Sequence, residues 1–152
     1  MNTPTPVDEQ AAAPADQPKQ PQTPFEFLAL FPGSPTPDQI EAYRKMVPGG
    51  RLRLLPMTDG KRLFLLRGFT ALELQGVQAE ASKVPADKQD YAVQCMIATR
   101  CTLWTSMTAS TRLTDVDLAS AGAGLAPTLH YAITDLSDYT TPQVLEQLYI
   151  DL

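Results

Sequence analysis

Histidine is almost missing from this chain, with one residue, His130, in 152. Cysteine occurs twice, at Cys95 and Cys101, and tryptophan once, at Trp104. One imidazole and two thiols cannot supply a spaced structural metal set, and no serine or cysteine stands in a nucleophile-elbow context. The two cysteines lie six apart in a helical pattern, which separates them by about 9 Å of rise and roughly 240° of rotation. They are therefore expected to stay reduced and to pack as small hydrophobes rather than form a disulfide.

Positive charge is also in deficit. Twelve Lys and Arg stand against seventeen Asp and Glu, for a formal charge of -5 and a pI of about 4.7. That balance argues against a general nucleic-acid binder. No apolar run approaches the roughly 20 residues needed to span a bilayer. The opening MNTPTPVDEQ has neither a basic region nor an apolar one, so no secretory signal is expected. The expectation is a soluble protein of a reducing cytoplasm, with no membrane partner.

Catalytic signatures are equally sparse. Gly122-Ala-Gly124 lacks a third glycine and a following Gly-Lys-Thr, and it follows a short helical pattern, so it reads as a helix end and turn. Carboxylates are scattered: Asp115 and Asp117 fit a helix start, while Asp135 and Asp138 fall near a helix end. His130 stands beside Tyr131 and reads as a helix-surface residue. No catalytic, cofactor-binding or metal-binding residue is assigned, and a non-enzymatic role is expected. No internal repeat is present.

Proline, by contrast, is abundant and uneven: nine of fourteen fall within the first 37 residues. With Ala, Gln, Thr and Asp around them, residues 1–24 cannot bury enough surface to offset ordering entropy, so a disordered or extended arm is expected there. It is either a passive tail or an arm that orders along a partner. Phe25–Phe31, FEFLALF, then breaks the composition with five large apolar residues in seven. Phe25, Phe27, Leu28, Leu30 and Phe31 either strap the domain core or dock on another subunit. The division expected is an arm over residues 1–35 and a domain over 36–152.

Within the domain, three helix starts carry reciprocal caps: Thr36 with Gln39, Thr70 with Glu73, and Thr114 with Asp117. Arg51–Met57 and Lys61–Gly68 flank Thr58-Asp59-Gly60, an Asp-Gly signal for a β-hairpin at about 51–68. Pro56 marks the first run as an edge strand. A helix is expected over about Ala86–Trp104, apolar almost all round in its second half and thus central to a bundle. Another carries Leu125, Leu129, Ile133 and Leu136 on one stripe, and Thr141-Pro142 starts a terminal helix bearing Val144, Leu145, Leu148 and Tyr149. The fold class expected is mainly α, a small helical domain with one β-hairpin.

Charge segregates along the chain. Residues 44–67 hold seven basic side chains against Asp59, a local balance of +6, whereas 101–152 hold Arg112 against six carboxylates, or -5. Arg51, Arg53, Lys61, Arg62 and Arg67 therefore mark a candidate partner-binding hairpin. It would dock on acidic helices, either within the fold or between chains. Contact with nucleic acid through the hairpin is the alternative, as in a cytosolic binding module or regulator, although no aromatic residues interleave the basic ones.

From the hairpin onward the chain resembles a family of small tailed-bacteriophage proteins, the tail assembly chaperones and small tail or baseplate-hub proteins. The similarity rests on LFLLRGFTALEL at Leu63–Leu74, on Cys101-Thr-Leu-Trp104, and on Ala121-Gly-Ala-Gly-Leu125 followed by Ile133 and Ser137. It spans about 90 of the 152 residues. The chain departs from the pattern in having no glycine after Ser137 and no proline after Trp104. What the resemblance implies is a structural or assembly protein of the phage tail or baseplate. Its partners would be other tail or baseplate proteins or further copies of itself, in the host cytoplasm during assembly or in the virion tail. It implies no catalytic residue.

Overall fold

Leu63-Phe-Leu-Leu66 shows no alternation of apolar and polar side chains, and the structure supplies the reason: this strand is covered on both faces. The structure, a computed structural model, describes residues 23–137. Its elements run α1 (Pro24–Ala29), α2 (Pro37–Met46), a 3-10 turn (Pro48–Gly50), β1 (Leu52–Pro56), β2 (Leu63–Arg67) and α3 (Ala71–Ala81). A 3-10 turn (Ala86–Lys88), α4 (Gln89–Cys101), β3 (Thr102–Thr105), α5 (Asp115–Ser120) and α6 (Leu125–Leu136) follow. The described chain is thus mostly helical around a three-stranded antiparallel sheet of order β1-β2-β3.

Side chains of β2 alternate between two cores. Phe64 and Leu66 join Val77 of α3, Ile97 of α4 and Leu129 and Ile133 of α6. Leu63 and Leu65 instead join Leu28 of α1, Ile40 of α2 and Trp104 of β3. All four β2 leucine and phenylalanine side chains are buried. At about 25 cal/mol per Å² of apolar surface, full burial of each contributes roughly 1.5–3 kcal/mol, which makes β2 the largest single source of stability in the sheet.

The hairpin forms where Asp59-Gly60 places it. Leu52 pairs with Arg67 and Pro56 with Leu63, and the last ladder bond runs from Met57 N to Arg62 O. Alternation of bonded pairs then turns the backbone groups of Leu52, Leu54 and Pro56 away from β2, toward the open edge. Pro56 consequently costs no ladder bond. Gly60 takes a positive φ of 67°, and Asp59 Oδ1 accepts from the backbone N–H groups of Lys61 and Arg62.

All three reciprocal caps are formed, at Thr36/Gln39, Thr70/Glu73 and Thr114/Asp117. The apolar stripe of α6 is buried at Leu125, Leu129, Ile133 and Leu136, as its period requires. Both cysteines are free, Cys101 buried and Cys95 half-buried.

Three expectations change. The helix expected to reach Trp104 ends at Cys101, and Thr102–Thr105 becomes β3, so the sheet has a third strand that the single-hairpin reading lacked. Leu65 pairs with Trp104 and Leu66 with Thr102, which leaves Leu103 as the extra residue of a bulge. That bulge lets the adjacent Leu103 and Trp104 both reach the core shared with α1 and α2. Second, of the two alternatives for FEFLALF the structure has the one over the domain core, as a short helix: Thr23 caps it through the Glu26 N–H, and Leu28 is buried against the sheet. Third, Trp104 Nε1–H donates to Gly33 O and Pro35 is buried, so residues 24–35 lie with the domain rather than with an arm ending at 35. Residues 1–22 of the expected arm, and the terminal helix expected from Thr141, lie outside the described residues.

Candidate functional site

Because β1 is an edge strand and α1 is short, the layer over this part of the sheet is incomplete. A cavity of about 400 Å³ opens there. Phe25 and Leu28 of α1, Ile40 of α2, and Leu52, Leu54 and Leu65 of the sheet form its apolar walls. Arg44 and Arg53 supply its charged lining. Phe25 remains 45% exposed, and Leu30, which caps the C-terminus of α1, 66%.

The apolar residues singled out in the sequence thus divide. Leu28 is buried, and Phe27 and Phe31 are half-buried against the same core, their rings edge-on at a centroid distance of 5.5 Å. Phe25 and Leu30 are left facing outward. A six-residue helix presents about one and a half turns, so one face packs and the other cannot. Ile40, Leu52 and Leu54 were missed as site residues. The alternation Arg51-Leu52-Arg53-Leu54 carried the signal, because period two places both leucines on one face.

The basic residues divide more sharply. Arg67 extends from the end of β2 into a partly buried network. Its guanidinium donates to both carboxylate oxygens of Glu73 at 3.1 and 2.8 Å, to Gly68 O at 2.9 Å and to Arg100 O at 3.2 Å. The same Glu73 carboxylate closes the α3 cap by accepting from Thr70 N–H. The side-chain hydrogen bond from Arg67 holds the Glu73 carboxyl below its usual range, and Glu73 in turn raises Arg67. Arg67 was expected to meet a partner. It instead ties the ends of β2 and α4 to the start of α3, because its donors are taken inside the fold.

Arg53 donates to Asp135 Oδ2 at 2.6 Å and to Ala132 O at 3.2 Å, joining β1 to α6. This is one instance of hairpin docking on an acidic helix within the chain. Arg62 pairs with Asp59 at 2.8 Å across the hairpin turn. Asp59 is held below its ordinary pKa, first by the Lys61 backbone N–H and then by Arg62. Lys61 and Arg51 are exposed. The cavity therefore brings together Phe25, Leu28 and Arg53 from the expected set, and leaves Lys61, Arg62 and Arg67 outside its lining.

Burial pushes the Cys101 thiol up to about 11 and raises Cys95 as well. Burial lowers His130. Among the described residues no group of three or more His, Cys, Asp or Glu side chains could hold a metal ion, and no helix is long and apolar enough to cross a membrane. No protein-family model, curated protein or solved structure matches the chain.

Proposed function

We propose that this chain is a non-enzymatic structural or assembly protein of a bacteriophage tail or baseplate, working through protein–protein contacts. The observation that carries the interaction part of the reading is the apolar cavity between α1, α2 and the open edge of β1, with Phe25 exposed at its wall and Arg44 and Arg53 beside it. A concave apolar site suits a partner segment that inserts one aliphatic or aromatic anchor; Arg44, whose exposed contact with Glu41 is a loose 3.9 Å, is the cation beside it, since Arg53 is held by Asp135 at 2.6 Å. The tail or baseplate setting rests on the sequence resemblance alone. Contact with nucleic acid is less favoured, because Arg53, Arg62 and Arg67 each sit 2.6–2.8 Å from a carboxylate of the same chain.

The test is tail assembly by the full chain carrying Phe25→Asp, and separately Arg44→Glu. Removing residues 1–35 is a poor test, since it takes Leu28 and Pro35 out of the interior. Both variants are expected to stay folded, with Phe25→Asp melting within about 8 °C of the parent, and to lose assembled tails by tenfold or more in electron micrographs. Normal tail numbers from Phe25→Asp would overturn the reading of the cavity. Absence of the parent chain from both purified particles and tail-assembly intermediates by mass spectrometry would overturn the tail assignment.

A further inference from the structure

β1 carries two sets of backbone groups. Those of Arg53, Leu55 and Met57 bond β2, and those of Leu52, Leu54 and Pro56 face the open edge. Among the described residues no backbone carbonyl accepts from the N–H of Leu52 or Leu54. These two donors, with the carbonyls of Leu52, Leu54 and Pro56, stand in ladder spacing along a strand about 17 Å long.

The side chains beside these groups face the cavity between α1 and α2. Leu52 and Leu54 line it, and so does Arg53, although its side chain crosses to Asp135 of α6 on the other face. The opening therefore reaches around the strand edge. A segment added antiparallel to β1 would set the residues opposite Leu54 and Leu52 over this cavity, between the leucines and the half-exposed Phe25. Two residues further on, opposite Gly50, the same face meets the end of α2, where a Cβ on Gly50 would lie 3.6 Å from Arg44 O. The Arg44 side chain is 50% exposed, and its contact with Glu41 is a loose 3.9 Å, so a carboxylate placed there finds a cation. The residue between the two apolar ones falls opposite Arg53, which is already held by Asp135 at 2.6 Å. Neither sign of charge gains there, and a neutral β-branched residue suits the position.

The edge is poorly made for a second copy. Two-fold pairings centred on Leu52 or Arg53 set Arg53 opposite Arg51 or opposite its own counterpart, with like charges facing across the ladder. Those centred on Leu54 or Leu55 place Pro56, which has no N–H, in a bonded pair. The residues before Thr23 fit no better in sequence, because Met1 and Val7 are their only large apolar side chains and stand six apart.

We propose that the β1 edge and this cavity together accept an extended segment of another protein. The segment adds as a fourth strand antiparallel to β1 and presents apolar, neutral, apolar, neutral and acidic residues in that order. This rests on the reading of the cavity as a partner site and gives the form its partner takes.

The test titrates the full nitrogen-15 chain with the acetylated, amidated peptide ITFTE and reads amide hydrogen exchange. In the free chain the amides of Leu52 and Leu54 are expected to exchange freely, with those of Arg53 and Leu55 protected. Saturating peptide should slow Leu52 and Leu54 by about tenfold or more. N-methylation of the first and third peptide residues removes the N–H groups that donate to Leu54 and Leu52, and should weaken binding about tenfold or more. Methylation of the second and fourth, whose N–H groups point away from β1, should leave binding within about twofold. ITFTQ should bind about two- to fivefold more weakly than ITFTE, and Arg44→Gln should remove that difference.

Unchanged exchange at Leu52 and Leu54 with millimolar peptide would overturn the proposal, as would equal binding of the two methylated forms. Either result leaves an assembly defect in Phe25→Asp standing, whereas ladder binding with normal tails from Phe25→Asp would overturn only the role of the cavity in assembly. Equal binding of ITFTE and ITFTQ would overturn the antiparallel register. Protection of Leu52 and Leu54 in the free chain would also overturn the proposal. It would assign the edge to a second copy if it grew with protein concentration, and to the chain itself if it did not.

Discussion

Arg67 offers the sharpest discrimination between a residue that faces a partner and one that holds the fold. Its side chain is 17% exposed and that of Glu73 34%, so the pair is mostly but not fully withdrawn from water. Replacing Arg67 with Met keeps the aliphatic stem and removes the four hydrogen bonds to Glu73, Gly68 and Arg100. Breaking a buried pair by removing one partner costs about 3–5 kcal/mol, whereas exposed pairs are worth about 0–1 kcal/mol. With Glu73 one-third exposed, the expected loss is about 2–3 kcal/mol. Urea denaturation followed by circular dichroism would read it as a lower midpoint at unchanged slope. Glu73→Gln retains the cap acceptor for Thr70 N–H and should cost about 1 kcal/mol. The double variant should then show a coupling of at least about 1 kcal/mol, as contacting residues do. The pH dependence has a definite sign. Glu73 titrates lower in the folded state than in the unfolded one, so its contribution is present above its unfolded pKa and fades as pH falls through the folded value. The parent should therefore lose more stability than Arg67→Met between about pH 5 and pH 3. A loss under about 0.5 kcal/mol for Arg67→Met, with no coupling to Glu73, would refute the structural role and return Arg67 to the surface.

Four further substitutions test the packing. Leu28→Ala should cost about 2–4 kcal/mol as a large-to-small change in the core beside Trp104. Phe25→Ala should stay within about 0.5–1 kcal/mol by the same denaturation assay, because Phe25 is half-exposed; equal losses would contradict the division of α1 into a packed and an open face. Gly68→Ala brings a Cβ to 3.0 Å from Ser137 Oγ and 3.3 Å from Leu136 O, and overpacking of this kind should lower stability by about 1–3 kcal/mol. Ser137 Cα also lies 3.1 Å from that Cβ, so backbone must shift to admit it; a parent-like midpoint for Gly68→Ala would refute the close apposition of α6 and this corner. Thr134 Oγ1 is the one buried side-chain polar atom among the described residues that lacks a hydrogen-bond partner. Thr134→Val should accordingly be neutral or stabilising by up to about 1 kcal/mol, since it removes an unsatisfied group while keeping the shape. A clear loss in thermal denaturation would mean that the hydroxyl has a partner in solution.

Local chemistry decided a good deal of this protein in advance. Thr36/Gln39, Thr70/Glu73 and Thr114/Asp117 each satisfy their own helix-start donors within four residues, so no distant contact is required to place them. The same holds for the Asp59-Gly60 turn, where a carboxylate and a positive φ act over three residues, and for the stripe of α6. Tertiary structure decided the remainder. Thr102–Thr105 continues a helical pattern in sequence, yet the free edge of β2 offers it a ladder, and β-branched Thr102 and Thr105 suit a strand there, with a bulge at Leu103. In FEFLALF the Thr23 cap and Pro24 at the first position supplied a local helix start, but the run is too short to carry a period, and only the uncovered face of the sheet turned Leu28 inward. Whether a cation pairs within the chain or outside it is a matter of spatial neighbours. Arg53 and Asp135 are 82 residues apart in sequence, and no local pattern could have joined them.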